Sequence, residues 1–194
     1  MNPAGEPSDE TLVARCQMGD YQAFEMLYRR WQRPILAYLT QLTRDREAAA
    51  CLAQETFMKV FEHSERFDTN RRFTTWLYTI ARNGALDWLT SKHRTTSVPF
   101  SGLSDGEGGT FEHAAPHLPI EHLLDRQESV ALLRTALETL TPVHREVIEL
   151  IIFREMSYEE AADIIGGGIS LGTLRSRMHH ALRHLRAALE GKGL

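Results

Sequence analysis

The chain holds only two cysteines, Cys16 and Cys51, in 194 residues, too few for a disulfide scaffold and typical of reduced thiols. No run approaches the 18 apolar residues that a bilayer-spanning helix needs, so no membrane insertion is expected. The opening MNPAGEPSDE has neither the basic nor the apolar stretch of a secretory signal, which sets the expectation of a cytoplasmic protein. The glycines of residues 102–109 are followed by no Lys-Ser/Thr pair and preceded by no strand pattern, which removes a nucleotide phosphate loop. A Ser-centred elbow and a Cys-His arrangement are missing as well, so nothing points to nucleophilic catalysis or to a cofactor. Neither a strand pattern of any length nor an internal repeat is present.

What remains is ordinary globular material, 42% hydrophobic and 25% charged, enough for one large core or two small ones. The net charge of −4 conceals an uneven distribution. Residues 66–94 carry six Lys and Arg against two acids, and residues 170–194 carry five against one, with three histidines. The segments around them are acidic. Two basic stretches in an acidic chain fit nucleic acid bound at two separate places.

The hydrophobic spacing predicts an all-α chain of two small helical domains, 8–94 and 121–194, joined by a flexible linker over 95–120. In the first domain Ser8 and Asp45 are expected to cap helices, and Phe24, Leu27, Tyr28 and Trp31 form a stripe. Pro34 is expected to start or kink a separate piece. A long helix from Phe73 is expected to bury Phe73, Trp76, Leu77, Ile80, Ala81, Gly84 and Trp88, with Arg82 on the opposite side. The linker contains four glycines, three prolines and no helical period. In the second domain Thr141-Pro142 reads as a helix start and Ser157-Tyr158-Glu159-Glu160 as a capping box. Gly166, Gly167 and Gly168 end that short helix, and Ser170 caps the last one.

A short capped helix, a glycine turn and a basic helix make a helix-turn-helix pattern. With Leu174, Met178, Ala181, Leu185 and Ala188 turned inward, Ser176, His179, His180 and Arg183 fall outward and Arg175 and Arg186 flank them. Arginine on such a face suits bidentate contact with guanine in the major groove. A plain solvated face is the competing reading. His180 and His184, four residues apart, would also suit a metal, but no third ligand lies nearby in sequence. Glu159-Glu160 resembles an acid/base pair, yet the capping box already accounts for Glu160.

The second concentration of chemistry is FDTNRRFTTWLYTIARN, residues 67–83. Aromatic faces stack on unpaired bases while arginines meet the strand's phosphates. Phe73, Trp76 and Leu77 read as core. Phe67, Arg71, Arg72, Tyr78, Arg82 and Asn83 are harder to place there and are expected near DNA, with Asn70 and Thr79.

These residues resemble the bacterial sigma factors of the extracytoplasmic-function (ECF) type, with sigma regions 2 and 4 only. The matching segments are GDYQAFEMLYRRW, LAQETFMKVF and FDTNRRFTTWLYTIARN, then LTPVHREVIEL, SYEEAADIIG and LGTLRSRMHHALRHLR. The resemblance implies an initiation factor without catalysis of its own that brings core RNA polymerase to promoter DNA and opens it. It implies that Leu52, Gln54, Glu55, Phe57 and Phe61 face the polymerase clamp helices. It implies that the 67–83 segment takes the minus-ten element. Thr173, Arg175, Ser176, Arg177, His179, His180 and Arg183 would face the minus-thirty-five element, and an anti-sigma factor is an expected partner. The sequence departs from the family at several positions: Ala50-Cys51 stand where acids are common, three glycines stand where one is usual, Ser170 replaces the turn's usual proline, and His180 and Leu182 stand where basic residues are common.

Two other functions compete: a stand-alone helix-turn-helix regulator with an N-terminal ligand or partner domain, and a protein-only adaptor. The Arg-aromatic segment separates the first, because a ligand domain has no use for it.

Overall fold

The computed structural model describes residues 6–96, 133 and 135–190, with side chains for all of these but 93–96 and 190. The expected linker lies outside the described residues except for 95 and 96, and so does most of the helix expected over 121–139. The chain divides into two compact units near residue 99. The first contains α1 (Asp9–Gln17), α2 (Tyr21–Thr43), α3 (Arg46–His63), a 3-10 turn (Ser64–Arg66) and α4 (Phe73–Thr96). In the second, residues 135–139 are helical. They precede α5 (Pro142–Ile148), which runs into a π turn (Glu149–Phe153), then α6 (Tyr158–Ile165) and α7 (Leu171–Glu190). No strand occurs among the described residues.

Short polar side chains set the helix starts, because the first backbone N–H groups of a helix need acceptors. Ser8 Oγ accepts from Thr11, Asp20 Oδ1 from Gln22 and Ala23, and Asp45 Oδ1 from Glu47 and Ala48. Asp20 also takes two bonds from the Arg15 guanidinium, at 2.9 and 2.7 Å. That bond, followed by those from the Ala23 and Gln22 amides, holds the Asp20 carboxyl below its usual range. A carboxyl lowered on folding stabilises above its unfolded pKa of about 3.9 and loses that contribution as pH falls through the folded value. Asp20→Asn keeps a capping oxygen and loses the charge on Arg15. Thermal melts should place the variant below wild type at neutral pH, with the gap narrowing as the pH falls below the unfolded value of about 3.9. A gap of constant size across that range would trace to the cap geometry instead.

Pro34 neither starts nor breaks a helix: α2 runs through it without interruption. An internal proline costs one backbone bond and a clash with the carbonyl four residues earlier, about 3 kcal/mol. The helix continues because Ile35, Tyr38 and Leu39, directly after it, are fully buried. Tyr38 meets Tyr78 of α4 edge-on at 5.0 Å, and Trp31 meets the same ring at 6.2 Å. Leu12 and Val13 of α1 and Leu52, Phe57 and Val60 of α3 complete this core.

The second unit buries Val143, Val147, Ile148 and Leu150 together with Ala161 of α6 and the inner stripe of α7. That stripe holds Leu174, Met178, Ala181 and Leu185 as expected, but also Leu182 and Leu189, while Ala188 is only half-buried. The Ser157/Glu160 capping box is formed. Gly166, Gly167 and Gly168 all have positive φ, at 66°, 68° and 70°. Only glycine adopts that conformation freely, so the three together form an extended turn that no other residue would hold without strain. Ser170 Oγ then accepts from the Thr173 amide and opens α7.

Candidate nucleic-acid and protein-binding surfaces

Three surfaces carry the chemistry. The first is an apolar groove of about 420 Å³ between α2 and α3, lined by Phe24, Tyr28, Gln54, Phe57, Met58, Phe61 and Glu62. Its rings are ordered by edge contacts, Phe24 on Phe61 at 5.1 Å and Tyr28 on Phe57 at 4.9 Å. Tyr21 stacks on Phe61 at 6.1 Å. Met58 is 61% exposed and Phe61 46%, a wet apolar patch of the kind that marks a protein interface. Of the residues expected to face polymerase, Gln54, Glu55 and Phe61 are on the surface. Leu52 and Phe57 are buried in the first core; Phe57 only borders the groove.

The second surface is the loop between the 3-10 turn and α4. Asp68, Thr69, Asn70, Arg71 and Arg72 are all exposed. Asp68 Oδ1 accepts from the Asn70 backbone and side-chain N–H groups at 3.0 and 2.9 Å, a local turn that keeps the Asp68 carboxyl low. Arg71 lies 3.9 Å from the same carboxylate and stays exposed.

Three expectations are corrected in this segment. Phe67 is buried, its ring tilted against Trp76 at 4.8 Å and edge-on to Phe73 at 6.1 Å. Tyr78 is wholly buried in the aromatic cluster with Tyr38 and Trp31. Arg82 is 8% exposed. Helical spacing defines one inner face, but α4 has α1, α2 and α3 around it, so residues off that face are covered too. Asn83 is exposed, and Thr79 is half-buried with its hydroxyl bonded to the Thr75 carbonyl.

The third surface is α7 beyond the glycine turn. Thr173, Arg175, His179 and Arg183 are exposed, while Ser176, Arg177 and His180 are half-buried. The Arg175 guanidinium lies over the Tyr158 ring at 5.6 Å, a cation–π contact that links the two helices of the motif. Burial raises the Tyr158 hydroxyl's pKa, with Arg175 opposing in part. His180 does not stand on an open face. It stacks on His144 of α5 at 6.1 Å, with Arg183 Nη2 2.9 Å from its Nδ1. His184 also meets His144, at 6.0 Å. The structure thus supplies the neighbour that the His180/His184 pair lacked in sequence. No group of three metal-ligating side chains with metal-holding geometry occurs among the described residues.

Comparison with known proteins fixes the family. The sigma-70 region 2 model matches residues 27–95 and the sigma-70 region 4 model matches residues 136–187. The ECF RNA polymerase sigma factor SigL of Mycobacterium tuberculosis is 35% identical over 81% of this chain and 83% of that protein. The chain belongs to the ECF sigma factors.

An ECF sigma factor binds core RNA polymerase and directs promoter recognition, DNA melting and transcription initiation. The RNA polymerase sigma-H factor of Pseudomonas aeruginosa is 30% identical, covering 95% of both chains. The sigma factor RpoE of Bartonella quintana, solved with the anti-sigma factor NepR, superposes with a TM-score of 0.64. It is 28% identical and covers 86% of this chain and 96% of that one. The groove residues from Tyr28 onward and the exposed loop lie inside the region 2 match, and the helix-turn-helix as far as residue 187 lies inside the region 4 match. Helix α1 lies outside both.

Sequence reasoning misses three kinds of residue here. Tyr158 reads only as part of a capping box, although an aromatic at the start of α6 is within reach of an arginine on α7. Glu10 and Gln17 bond to residues 47 to 63 positions away, and nothing local announces it. Arg145 reads as one charged residue on an amphipathic helix, yet it is buried.

Proposed function

We propose that residues 8–94 of this sigma factor dock on core polymerase and take the minus-ten element, and that residues 121–194 take the minus-thirty-five element. Residues 95–120 are the tether between them. The α2–α3 groove is the polymerase-facing surface, with Gln54, Glu55 and Phe61 making contact and Leu52 and Phe57 supporting from the core. The exposed Asn70, Arg71, Arg72 and Asn83 meet the opened strand, with Thr79 at the margin. Phe67, Tyr78 and Arg82 shape that surface from beneath. Bond formation belongs to polymerase, so this chain contributes recognition alone and needs no cofactor. It acts in the cytoplasm, where polymerase works. Among the described residues no helix is long and apolar enough to cross a membrane. An anti-sigma factor is inferred as a further partner, by analogy with the Bartonella relative.

The observation that carries the upstream assignment is the α7 face. Arg175, exposed and held over Tyr158, is preorganised near the N-terminal end of the helix, the part that reads bases in this motif class. Arg183, two turns further on, is placed for phosphate. Arg175→Ala should cost about 1–3 kcal/mol and relax preference at one promoter position. Arg183→Ala should weaken all sequences alike and lower the salt slope by about one unit. Binding of promoter variants by the holoenzyme at several salt concentrations separates the two roles. Identical behaviour of both variants would remove α7 from base reading.

A further inference from the structure

The strand-opening loop is fastened at both ends by one helix that no sigma-region match includes. Glu10 and Gln17 are seven residues apart on α1, hence on one face and roughly 10 Å apart along the axis. Gln17 Nε2 donates to the Ser64 carbonyl and to the Phe67 carbonyl, both at 2.9 Å. Glu10 Oε1 accepts from the Phe73 backbone N–H at 3.1 Å. The residue before α4 is Arg72, which has no capping oxygen. The Glu10 carboxylate supplies from another helix the acceptor that the start of α4 lacks, with the charge sign a helix N-terminus favours.

Helix α1 is itself fixed. Leu12 and Val13 are buried. Asp9 binds Arg30 at 2.5 Å and the Trp31 indole N–H at 3.1 Å, both on α2. Arg15 binds Asp20 at the start of α2. Between its two pins the loop folds Phe67 inward and leaves Asp68 through Arg72 outward.

We propose that α1 is a brace for strand opening, in which Glu10 and Gln17 are positioning residues that hold the 68–72 loop in the form that receives the separated strand. The proposal rests on the reading of residues 67–83 as the strand-opening segment. Its physical basis is preorganisation: a loop already held in its bound form loses less freedom when DNA arrives.

The test uses the full-length chain carrying Glu10→Ala and Gln17→Ala together. Amide exchange across 67–73 should accelerate by about tenfold, the effect of losing one to three ordinary hydrogen bonds, while the centre of α3 stays protected. Holoenzyme made with this variant should form open complexes on a duplex promoter about tenfold more slowly, yet lose less than about twofold on a template already unpaired at the minus-ten element. Glu10→Gln retains the accepting oxygen and loses only the charge, so it should fall much closer to wild type than to the double variant. Gln17→Met keeps length and volume without the donors. It should reproduce the defect even if the double variant is too unstable to study. Unchanged exchange at 67–73 overturns the brace. Faster exchange with equal losses on duplex and unpaired templates leaves the contacts in place but overturns both the role in opening and the assignment of this segment.

Discussion

Phe61→Glu should reduce affinity for core polymerase by about 30-fold or more, the loss expected when an interface anchor worth at least 2 kcal/mol is removed. The ring is 46% exposed, and it meets Tyr21 and Phe24 at the edge of the groove. Its substitution therefore leaves the first core largely intact. A carboxylate there would be desolvated without a partner on docking, which adds to the loss of apolar area. Phe57→Ala is the wrong probe. That side chain is 4% exposed, so its removal would cost about 3–5 kcal/mol of stability and obscure any effect on docking. Met58→Ser, at the most exposed apolar position in the groove, should give a smaller loss in the same direction. Equilibrium titration of core polymerase, with helicity checked by circular dichroism, reads both. A folded Phe61→Glu variant with wild-type affinity would place the docking surface elsewhere.

Arg145→Ala should destabilise the second unit by about 2–5 kcal/mol, well beyond the effect of an ordinary surface substitution. The side chain is buried, and its guanidinium donates to the carbonyls of Leu137, Glu138 and Leu140 at 3.0, 3.2 and 2.7 Å. Those carbonyls lie at the C-terminal end of the helical stretch 135–139, where a helix runs out of N–H partners of its own. One planar fork reaches all three. Arg145→Lys keeps the charge but not the fork, so it should recover only part of the loss. All three tryptophans, Trp31, Trp76 and Trp88, lie in the first unit, so their fluorescence will not report this unfolding. Urea titration followed by far-ultraviolet circular dichroism will, as an early transition in the variant. Promoter binding through α7 should fall with it, while core binding through the groove persists.

What could be read from sequence followed the range of the interaction responsible. Caps at Ser8, Asp45, Ser157 and Ser170 bond to amides two or three residues away, so their chemistry is visible in a short window. Periodicity stops after residue 94 and resumes later, and a loss of period is likewise visible in a short window. Long-range packing was less accessible. Tyr78 and Arg82 looked displaced from the inner face of α4 because a single helix has one face, whereas a helix among three neighbours has several. Pro34 reads as the start or kink of a separate piece because its penalty is local and the burial that overrides it is not. Leu52 and Phe57 match a family motif that implies contact with polymerase, yet both are buried, and motif position does not distinguish a contact from its support.

The glycine turn between α6 and α7 limits how the helix-turn-helix can change over generations. A single base change in a glycine codon gives Ala, Ser, Cys, Val, Asp, Glu, Arg or Trp. Of these only Asp visits positive φ with any ease, and Gly166, Gly167 and Gly168 all require it. Point substitution is thus a costly route to altering the angle at which α7 is presented. Gain or loss of a whole residue is not blocked in the same way, because it shortens or lengthens an open turn with no side chain packed against it. Each such event moves α7 in one jump of about 3.8 Å of chain. Promoter preference in descendants of this protein should therefore change by steps at this turn, and only gradually along the face of α7 itself.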